Sequence, residues 1–408
     1  VSGAIPILPG PVPGASRPAT LGVMGGGQLG RMFVHAAQTM GYAVAVLDPD
    51  PVSPAGRAAD VHIATGYEDE AGLAQLMQRC EAITTEFENV PAAALTTLAA
   101  QRPVAPGPHA VAVAQDRIAE KTHFDRCAAH TGVAPAPWVA ITNAEALAQV
   151  PDRLLPGILK TARLGYDGKG QISVEDRAQL AQAWDALHRV PCVLEQRLAL
   201  RAEYSVILAR GADGQSVHYP LQRNWHRNGI LAVTEVDPNG SAAGPDWAAQ
   251  AMAAAEAIAA ALHYVGVLCV EFFVVDDGSS TGRLVVNEMA PRPHNSGHYT
   301  IDACDVSQFE LQVRALAGLP LTAPRLHSAA VMLNLLGDCW WRDGQPHSPD
   351  WARVLTLPGV HLHLYGKLQA RPGRKMGHLT VTATDLPRAR AVAWQAAQWL
   401  GMAPWPVS

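Results

Sequence analysis

The sequence predicts a chain of mixed α/β and α+β class in three parts: a Rossmann-like N-terminal domain, a longer α+β middle and a small β-rich C-terminal domain. Three observations carry this. A βαβ pattern with a glycine-rich turn opens the chain, paired β-branched runs bearing acids close the middle, and the composition changes after Leu319-Pro320, where Pro324 precedes a new apolar strand from Ala329 to Leu336. A length of 408 residues fits two or three domains. We place their limits at 1–18 (a flexible N-terminal extension rich in Pro and Gly), 19–108, 109–322 and 323–408.

Apolar residues make up 49% of the chain and charged residues 16%, which fits a globular protein with a sizeable core and excludes a disordered one. The net charge of −5, with no basic tail, offers nothing to a nucleic acid. Cys80, Cys127, Cys192, Cys269, Cys304 and Cys339 show no short paired spacing. They are expected as reduced, mostly buried thiols of a cytoplasmic protein, not as a disulfide frame or zinc site. Val1 to Pro18 lacks the cationic start and apolar core of a signal peptide, and the Ala-rich stretch Trp247 to His263 is broken by Gln250, Glu256 and His263. No membrane partner is expected.

Thr20 to Met24 reads as a strand, Gly25-Gly26-Gly27-Gln28-Leu29-Gly30-Arg31 as a turn into a helix ending near Met40, and Ala43 to Asp48 as the next strand. Gly25, Gly27 and Gly30 fit G-x-G-x-x-G, with Asp48 near the place of a ribose-binding acid. Such a turn serves a dinucleotide oxidoreductase, a phosphate or small-substrate contact, or only close helix packing. Glu81 to Val90 is a further strand leaving Glu86 and Glu88 at its C-terminal end, either a ligand-facing edge or a solvated strand end. The prolines of Pro103 to Pro108 mark a boundary, and one helix is expected from His109 to His130.

Pro156 to Ala162 is a strand carrying Lys160, followed by the loop Gly165-Tyr166-Asp167-Gly168-Lys169-Gly170-Gln171. Three glycines let backbone amides approach an anion while Lys169 adds charge. An Asp-Gly hairpin is the plainer reading, and the P-loop order is absent. Pro191 to Leu198 is a strand ending in Glu195-Gln196-Arg197, and β runs follow at Glu203 to Ala209, Tyr219 to His226 and Gly229 to Leu231. Val267 to Val275 and Leu284 to Ala290 then form a hairpin across Asp276 to Gly282. With Asp276 and Arg283 as the closing pair, Glu271 faces Glu288, and Asn287 points to the other face unless a bulge re-aims it. Two facing buried carboxylates need a cation between them, a proton, or an arginine such as Arg292. The loop after the hairpin, Ala290 to His298, holds Arg292, His294, Asn295, Ser296 and His298 between two helix-breaking prolines. Arg371-Pro372-Gly373-Arg374-Lys375, with Lys367 nearby, is either a solvated turn or an anion site.

The ordered set of a strand lysine, a glycine-rich loop, a strand ending in Glu-Gln and two late carboxylates resembles the ATP-grasp ligases. Gly25 to Met32, Glu86 to Val90, Gly165 to Gln171, Asn287 to Arg292, His294 to His298, Ser307 to Glu310, Val331 to Gly337, His361 to Lys367 and Arg371 to His378 resemble the N5-carboxyaminoimidazole ribonucleotide synthetases of purine biosynthesis. The resemblance implies an ATP-grasp fold of two subdomains over 109–322, preceded by a pre-ATP-grasp domain. It also implies a reaction of ATP, bicarbonate and 5-aminoimidazole ribonucleotide through carboxyphosphate, and a homodimer. By the same resemblance Arg117, Lys160, Gly165, Tyr166, Asp167, Gly168, Lys169, Gly170, Gln171, Glu195, Gln196, Arg197, Leu198, Glu203, His226, Asn287 and Glu288 hold ATP, and Glu271 and Glu288 hold Mg²⁺. Gln28, Leu29, Tyr166, Asp167, Arg292, His294, Asn295 and Ser296 meet the ribonucleotide, with Lys367, Arg374 and Lys375 on its phosphate. Arg292, His294, Lys169 and Asp167 are the catalytic candidates, with His298 a rival proton acceptor. The chain departs from the family at Arg163-Leu164, where a Gly or Thr is expected at the second place. Other ATP-grasp carboxylases or formate-using ligases, an NAD-dependent oxidoreductase and a non-catalytic nucleotide-binding module are the competing functions.

Overall fold

In a computed structural model of the chain, residues 5–165, 170–240, 245–342 and 344–405 are described. Strands β1 (Thr20–Met24), β2 (Ala43–Leu47), β3 (Val61–Ile63) and β4 (Ala82–Thr85) form a parallel sheet in the order β3-β2-β1-β4. Nearly every residue of β1, β2 and β4 is buried, as a parallel sheet covered on both faces requires. The helices Gln28–Thr39 and Glu70–Arg79 cover it.

The expected flexible extension is docked over residues 5–18. Tyr42 Oη donates to the Ile7 carbonyl at 2.6 Å and the Ile7 amide donates to the Ala317 carbonyl at 2.8 Å, while Ile7 and Val12 pack onto the N-terminal core. The stretch folds back on itself in a turn, with Pro11 bridged to Pro18 and the Val12 amide donating to the Arg17 carbonyl, and its Ile7 lies beside the end of the helix Gln308–Ala317.

The helix expected over His109 to His130 is two, Pro108–Ala114 and Arg117–Thr131. Asp116 causes the break: its carboxylate accepts from the Ile118 and Ala119 amides and caps a new helix. Strands β5 (Trp138–Ile141), β6 (Gly157–Thr161), β7 (Gln171–Val174) and β8 (Cys192–Gln196) make an antiparallel sheet ordered β5-β8-β6-β7.

A larger sheet then carries the rest of the chain: β9 (Leu200–Arg210), β10 (Ser216–His218), β11 (Gln222–Arg227), β12 (Ile230–Val236), β13 (Gly266–Val275), β14 (Arg283–Ala290) and β15 (Ala329–Leu336). After the small hairpin β16 (Trp341–Arg342) and β17 (Gln345–Pro346), β18 (Val360–Leu364) and β19 (Lys375–Ala383) rejoin it. The order is β14-β13-β9-β11-β12-β15-β19-β18, with β10 beside β9. The C-terminal strands therefore extend the central sheet through the β12–β15 pairing. The Ala-rich helix Pro245–Ala261 covers one face of the sheet, and the helix Leu386–Trp399 packs on β15 and β19. Among the described residues all six cysteines are buried and free, and no helix is long and apolar enough to cross a membrane.

One buried ion pair ties the last helix to the sheet. Glu235 of β12 is fully buried and accepts from Arg390 at 2.9 and 2.6 Å and from Trp405 Nε1 at 3.2 Å. Removing the cation strands a carboxylate without solvent, which typically costs ~3–5 kcal/mol. Replacing Arg390 by Met is expected to lower unfolding free energy by about that amount, as measured by urea denaturation. A loss below ~1 kcal/mol would place the pair among weak surface bridges.

Candidate functional site

The hairpin β13–β14 sets the centre of the site. Val275 pairs with Arg283 and Phe272 with Val286, but Glu271 pairs with Glu288. Asn287 is thus an extra residue in β14. The expected closing pair was one residue off, and this bulge restores the facing of Glu271 and Glu288. It also answers the question left open for Asn287, which lines the same cavity as Glu271 and Glu288.

That cavity, about 750 Å³, lies between the helix Arg117–Thr131, the β5–β8 sheet, β13–β14 and the N-terminal glycine turn. Glu271 is nearly buried, and its carboxyl is pushed up to about 7 by burial and by Glu288. Burial also pushes Glu288 upward, but Arg117 and Lys160 outweigh it and hold this carboxylate below its ordinary value. Arg117 Nη1 lies 3.2 Å from Glu288 Oε2, at the mouth of the acid pair. Glu195 of β8 receives Lys160 of β6 at 3.0 Å and Lys121 at 3.3 Å. Burial raises its pKa, yet the two lysines bring it down to about 2. Lys121 is only 1% exposed and was missed in the sequence, because a lysine on a helix ordinarily marks a solvated face. Its signal was its position one turn after Arg117, on the same face.

On the far side of the cavity, Glu203 of β9 pairs with His226 of β11. Burial disfavours the imidazolium, but the bond to Glu203 prevails and raises His226 to about 9. His294 lies 3.4 Å from Glu271 and 2.9 Å from Ser296 Oγ. Burial and the nearby Arg292 guanidinium hold His294 well below its ordinary pKa, so the ring is neutral. Arg292 is engaged by Glu88 at 2.5 Å. Donor atoms of Cys269, Glu271 and His294 lie within 4.8 Å of one another, a group able to hold an ion.

Gln28, Leu29, Gly165, Gln171, Gln196, Leu198, Asn295 and Lys375 also line the cavity. Lys367 lies at its edge, donating to Gln28 Oε1 at 2.8 Å and to the Lys375 carbonyl at 2.7 Å. Arg374 donates to the Gln369 carbonyl within its own turn, and Ser296 is buried beneath His294 against Ser205. The Arg197 side chain bridges Glu175 at the surface, away from the cavity. Gly170 does not line the cavity; its carbonyl accepts from the Thr161 amide at 2.8 Å. Tyr166, Asp167, Gly168 and Lys169 lie outside the described residues. Leu164 takes a left-handed backbone with φ of 61° and is 76% exposed. A glycine adopts that backbone without strain, which gives the departure from the family pattern a conformational cost.

The glycine turn is occupied by the protein itself. Gly26 donates to Asp48 at 2.7 Å, and Gly27 and Gly30 donate to the two oxygens of Glu86 at 2.7 and 2.9 Å. The helix N-terminus that a dinucleotide pyrophosphate uses is filled by these carboxylates, against the oxidoreductase reading. His298 does not line the cavity. It stacks in a row with His378 and His363, whose ring lies 4.5 Å from His378 at 16°. Asp302 joins them, accepting from His363 at 2.9 Å. Near-parallel rings direct their nitrogen lone pairs into separate planes, so this second donor group does not converge on one ion.

Three domain families match along the chain: the ribonucleotide synthetase preATP-grasp domain over residues 19–115, the ATP-grasp domain over 126–309 and the phosphoribosylaminoimidazole carboxylase C-terminal domain over 330–392. The N5-carboxyaminoimidazole ribonucleotide synthase of Brucella melitensis is 42% identical over 365 residues, covering 89% of this chain and 96% of its own. The Staphylococcus aureus N5-carboxyaminoimidazole synthetase complexed with ADP superposes with a TM-score of 0.83 at 36% identity, covering 97% of this chain and all of that one. The Aspergillus clavatus N5-carboxyaminoimidazole synthase in complex with ADP and 5-aminoimidazole ribonucleotide gives 0.81 at 30%, covering 94% and 98%. With the bulged acid pair, its lysine-flanked wall and a family match along most of its length, the chain belongs to the N5-carboxyaminoimidazole ribonucleotide synthases, ATP-grasp ligases of purine biosynthesis.

Proposed function

We propose that ATP, bicarbonate and 5-aminoimidazole ribonucleotide react in this single cavity, through carboxyphosphate, to give the N-carboxylated ribonucleotide, ADP and phosphate. ATP-dependent carboxylation of 5-aminoimidazole ribonucleotide is the activity of the family to which the chain belongs. The observation that carries the residue assignment is the bulged pair Glu271 and Glu288, with cations on one side and a neutral imidazole on the other.

The pair fits a hard divalent cation: two facing carboxylates in an enclosed site, one of which retains its proton to about neutrality because it is buried and its neighbour is charged. Glu271 and Glu288 would hold Mg²⁺ there, and the ion would supply charge neutralisation for phosphate oxygens. Arg117 and Lys160, already turned toward the acids, are the side chains to meet the phosphates. His226 and Glu203 hold the nucleoside end. Lys169 and Asp167 within the Gly165 to Gln171 loop remain catalytic candidates by family resemblance.

Bicarbonate is a poor electrophile, so the γ-phosphoryl group converts it to a mixed anhydride that the ribonucleotide amine attacks. Arg292, exchanging Glu88 for substrate, orients the acceptor. His294 is the proton acceptor, since it lines the cavity as a neutral ring and His298 does not. Lys367, Arg374 and Lys375 take the ribonucleotide phosphate beside Gln28 and Leu29. A homodimer and a cytoplasmic location rest on the family resemblance.

Phosphate release from Mg-ATP tests the assignment. It should require both bicarbonate and 5-aminoimidazole ribonucleotide, and E271A should lower it at least about a hundredfold with the fold intact by circular dichroism. Release indifferent to that ribonucleotide would point to another acceptor, and full activity of E271A would overturn the metal assignment.

The His226–Glu203 pair makes a second prediction. A folded pKa near 9 against an ordinary 6.5 gives stability that is fully present below pH 6.5 and lost as pH rises through 9. The stability advantage of wild type over H226Q should therefore shrink by roughly 2–3 kcal/mol between pH 6.5 and pH 10, followed by urea denaturation. A difference that does not change with pH would show that His226 is not charged in the native state.

A further inference from the structure

Strand β14 is the edge strand of the large sheet, and its outward side meets only an isolated bridge, where the Val286 amide donates to the Ala134 carbonyl at 3.1 Å. At Glu288 the helix Arg117–Thr131 takes the place of a neighbouring strand. The Asn287 carbonyl accepts from Lys121 Nζ at 2.9 Å, and the Met289 amide donates to Glu120 Oε1 at 2.8 Å. These are the two peptide groups on either side of the Glu288 Cα, and together they fix its backbone torsions. Arg117, one turn earlier on the same helix face, meets the Glu288 carboxylate itself.

Neutral side chains could satisfy one carbonyl and one amide at lower desolvation cost. The sequence instead buries an ionisable group of each sign, with Lys121 at 1% and Glu120 at 2% exposure, although burial pushes the Glu120 carboxyl up to about 7 and the Lys121 ammonium below its ordinary value. Lys121 Nζ also stands 3.3 Å from Glu195, the carboxylate that receives Lys160. One ammonium thus joins the strand bearing the metal carboxylate to the wall bearing the phosphate-facing lysine.

We propose that Lys121 and Glu120 are positioning residues, which grip the β14 bulge from both sides and so aim Glu288 at the Mg²⁺ of the bound nucleotide. The inference rests on the metal role given to Glu288 above. Its test separates the two by measuring nucleotide binding in place of turnover. ADP is titrated by calorimetry into the full-length protein, once with EDTA and once with saturating Mg²⁺, for wild type, K121M and K121R.

In K121M the strengthening of ADP binding by Mg²⁺ should fall at least about tenfold, as for other residues that orient a metal ligand from behind. Metal-free ADP affinity should stay within about threefold, because Lys160 keeps its own contact with Glu195. K121R, which still donates to the Asn287 carbonyl, should recover part of the loss. Equal losses with and without Mg²⁺ would mean that Lys121 acts through the Glu195 wall, and no loss would mean that it only packs; either overturns the proposal. Should K121M fail to fold by circular dichroism, E120M removes the grip on Met289 and should show the same Mg²⁺-specific loss. If Mg²⁺ leaves wild-type ADP affinity unchanged, the metal reading fails, and the positioning role fails with it.

Discussion

Two carboxylates that face each other inside a sheet set the terms for everything around them. At a separation of about 4 Å and an effective dielectric near 20, two like charges repel by about 4 kcal/mol, well beyond the ~1 kcal/mol net value of a typical hydrogen bond. A hairpin ladder alone does not offset that. The chain meets the cost asymmetrically: Arg117 and Lys160 stabilise the charge on Glu288, while Glu271 keeps its proton up to about pH 7. The surrounding elements are placed to suit this asymmetry. The Arg117 helix lies along the edge of β14, and its Lys121 joins Lys160 of β6 and Glu195 of β8 in a lysine–glutamate–lysine row.

The N-terminal domain illustrates how little a short motif says without its neighbours. Gly25, Gly27 and Gly30 have the spacing of a dinucleotide turn, and the turn does enclose anions. The anions are the protein's own. A Cβ on Gly27 would meet Glu86 Oε1 at 2.4 Å, so the glycines are needed to admit the carboxylate of β4's C-terminal end. Glu86 in turn sits close to Glu88, which holds Arg292. The glycine turn therefore fixes Glu86, and through the adjoining chain Glu88 and its partner Arg292.

Legibility in the sequence followed how local each constraint is. The βαβ start and the facing of Glu271 with Glu288 could be read from runs of apolar residues and one hairpin. Even there, the hairpin count succeeded by compensation, since a bulge at Asn287 cancelled an error of one residue at the turn. Lys121, Glu120 and the carboxylates of Asp48 and Glu86 on the glycine turn were not legible in these roles, because each depends on elements far apart in sequence. The break at Asp116 had a visible cause, an acid two residues after a short apolar helix, but capping competes with continuation and the pattern alone does not decide between them. The docking of residues 5–18 was hidden for the same reason: prolines announce a lack of regular structure, not a lack of contacts.

The continuity of the large sheet explains why a third segment is needed at the site. The sheet runs from β14 at one edge to β18 at the other, so the paired acids Glu271 and Glu288 and the basic stretch around Lys375 belong to one hydrogen-bonded frame. Lys375 begins β19, and Lys367 just after β18 reaches across to Gln28 of the glycine turn at 2.8 Å. A reaction that must bring a phosphorylated acceptor to an unstable anhydride gains most from fixed distances between its anion sites. Placing Glu288 and Lys375 on strands of one sheet, with the N-terminal domain bonded to the far end through Gln28, sets the span between these side chains.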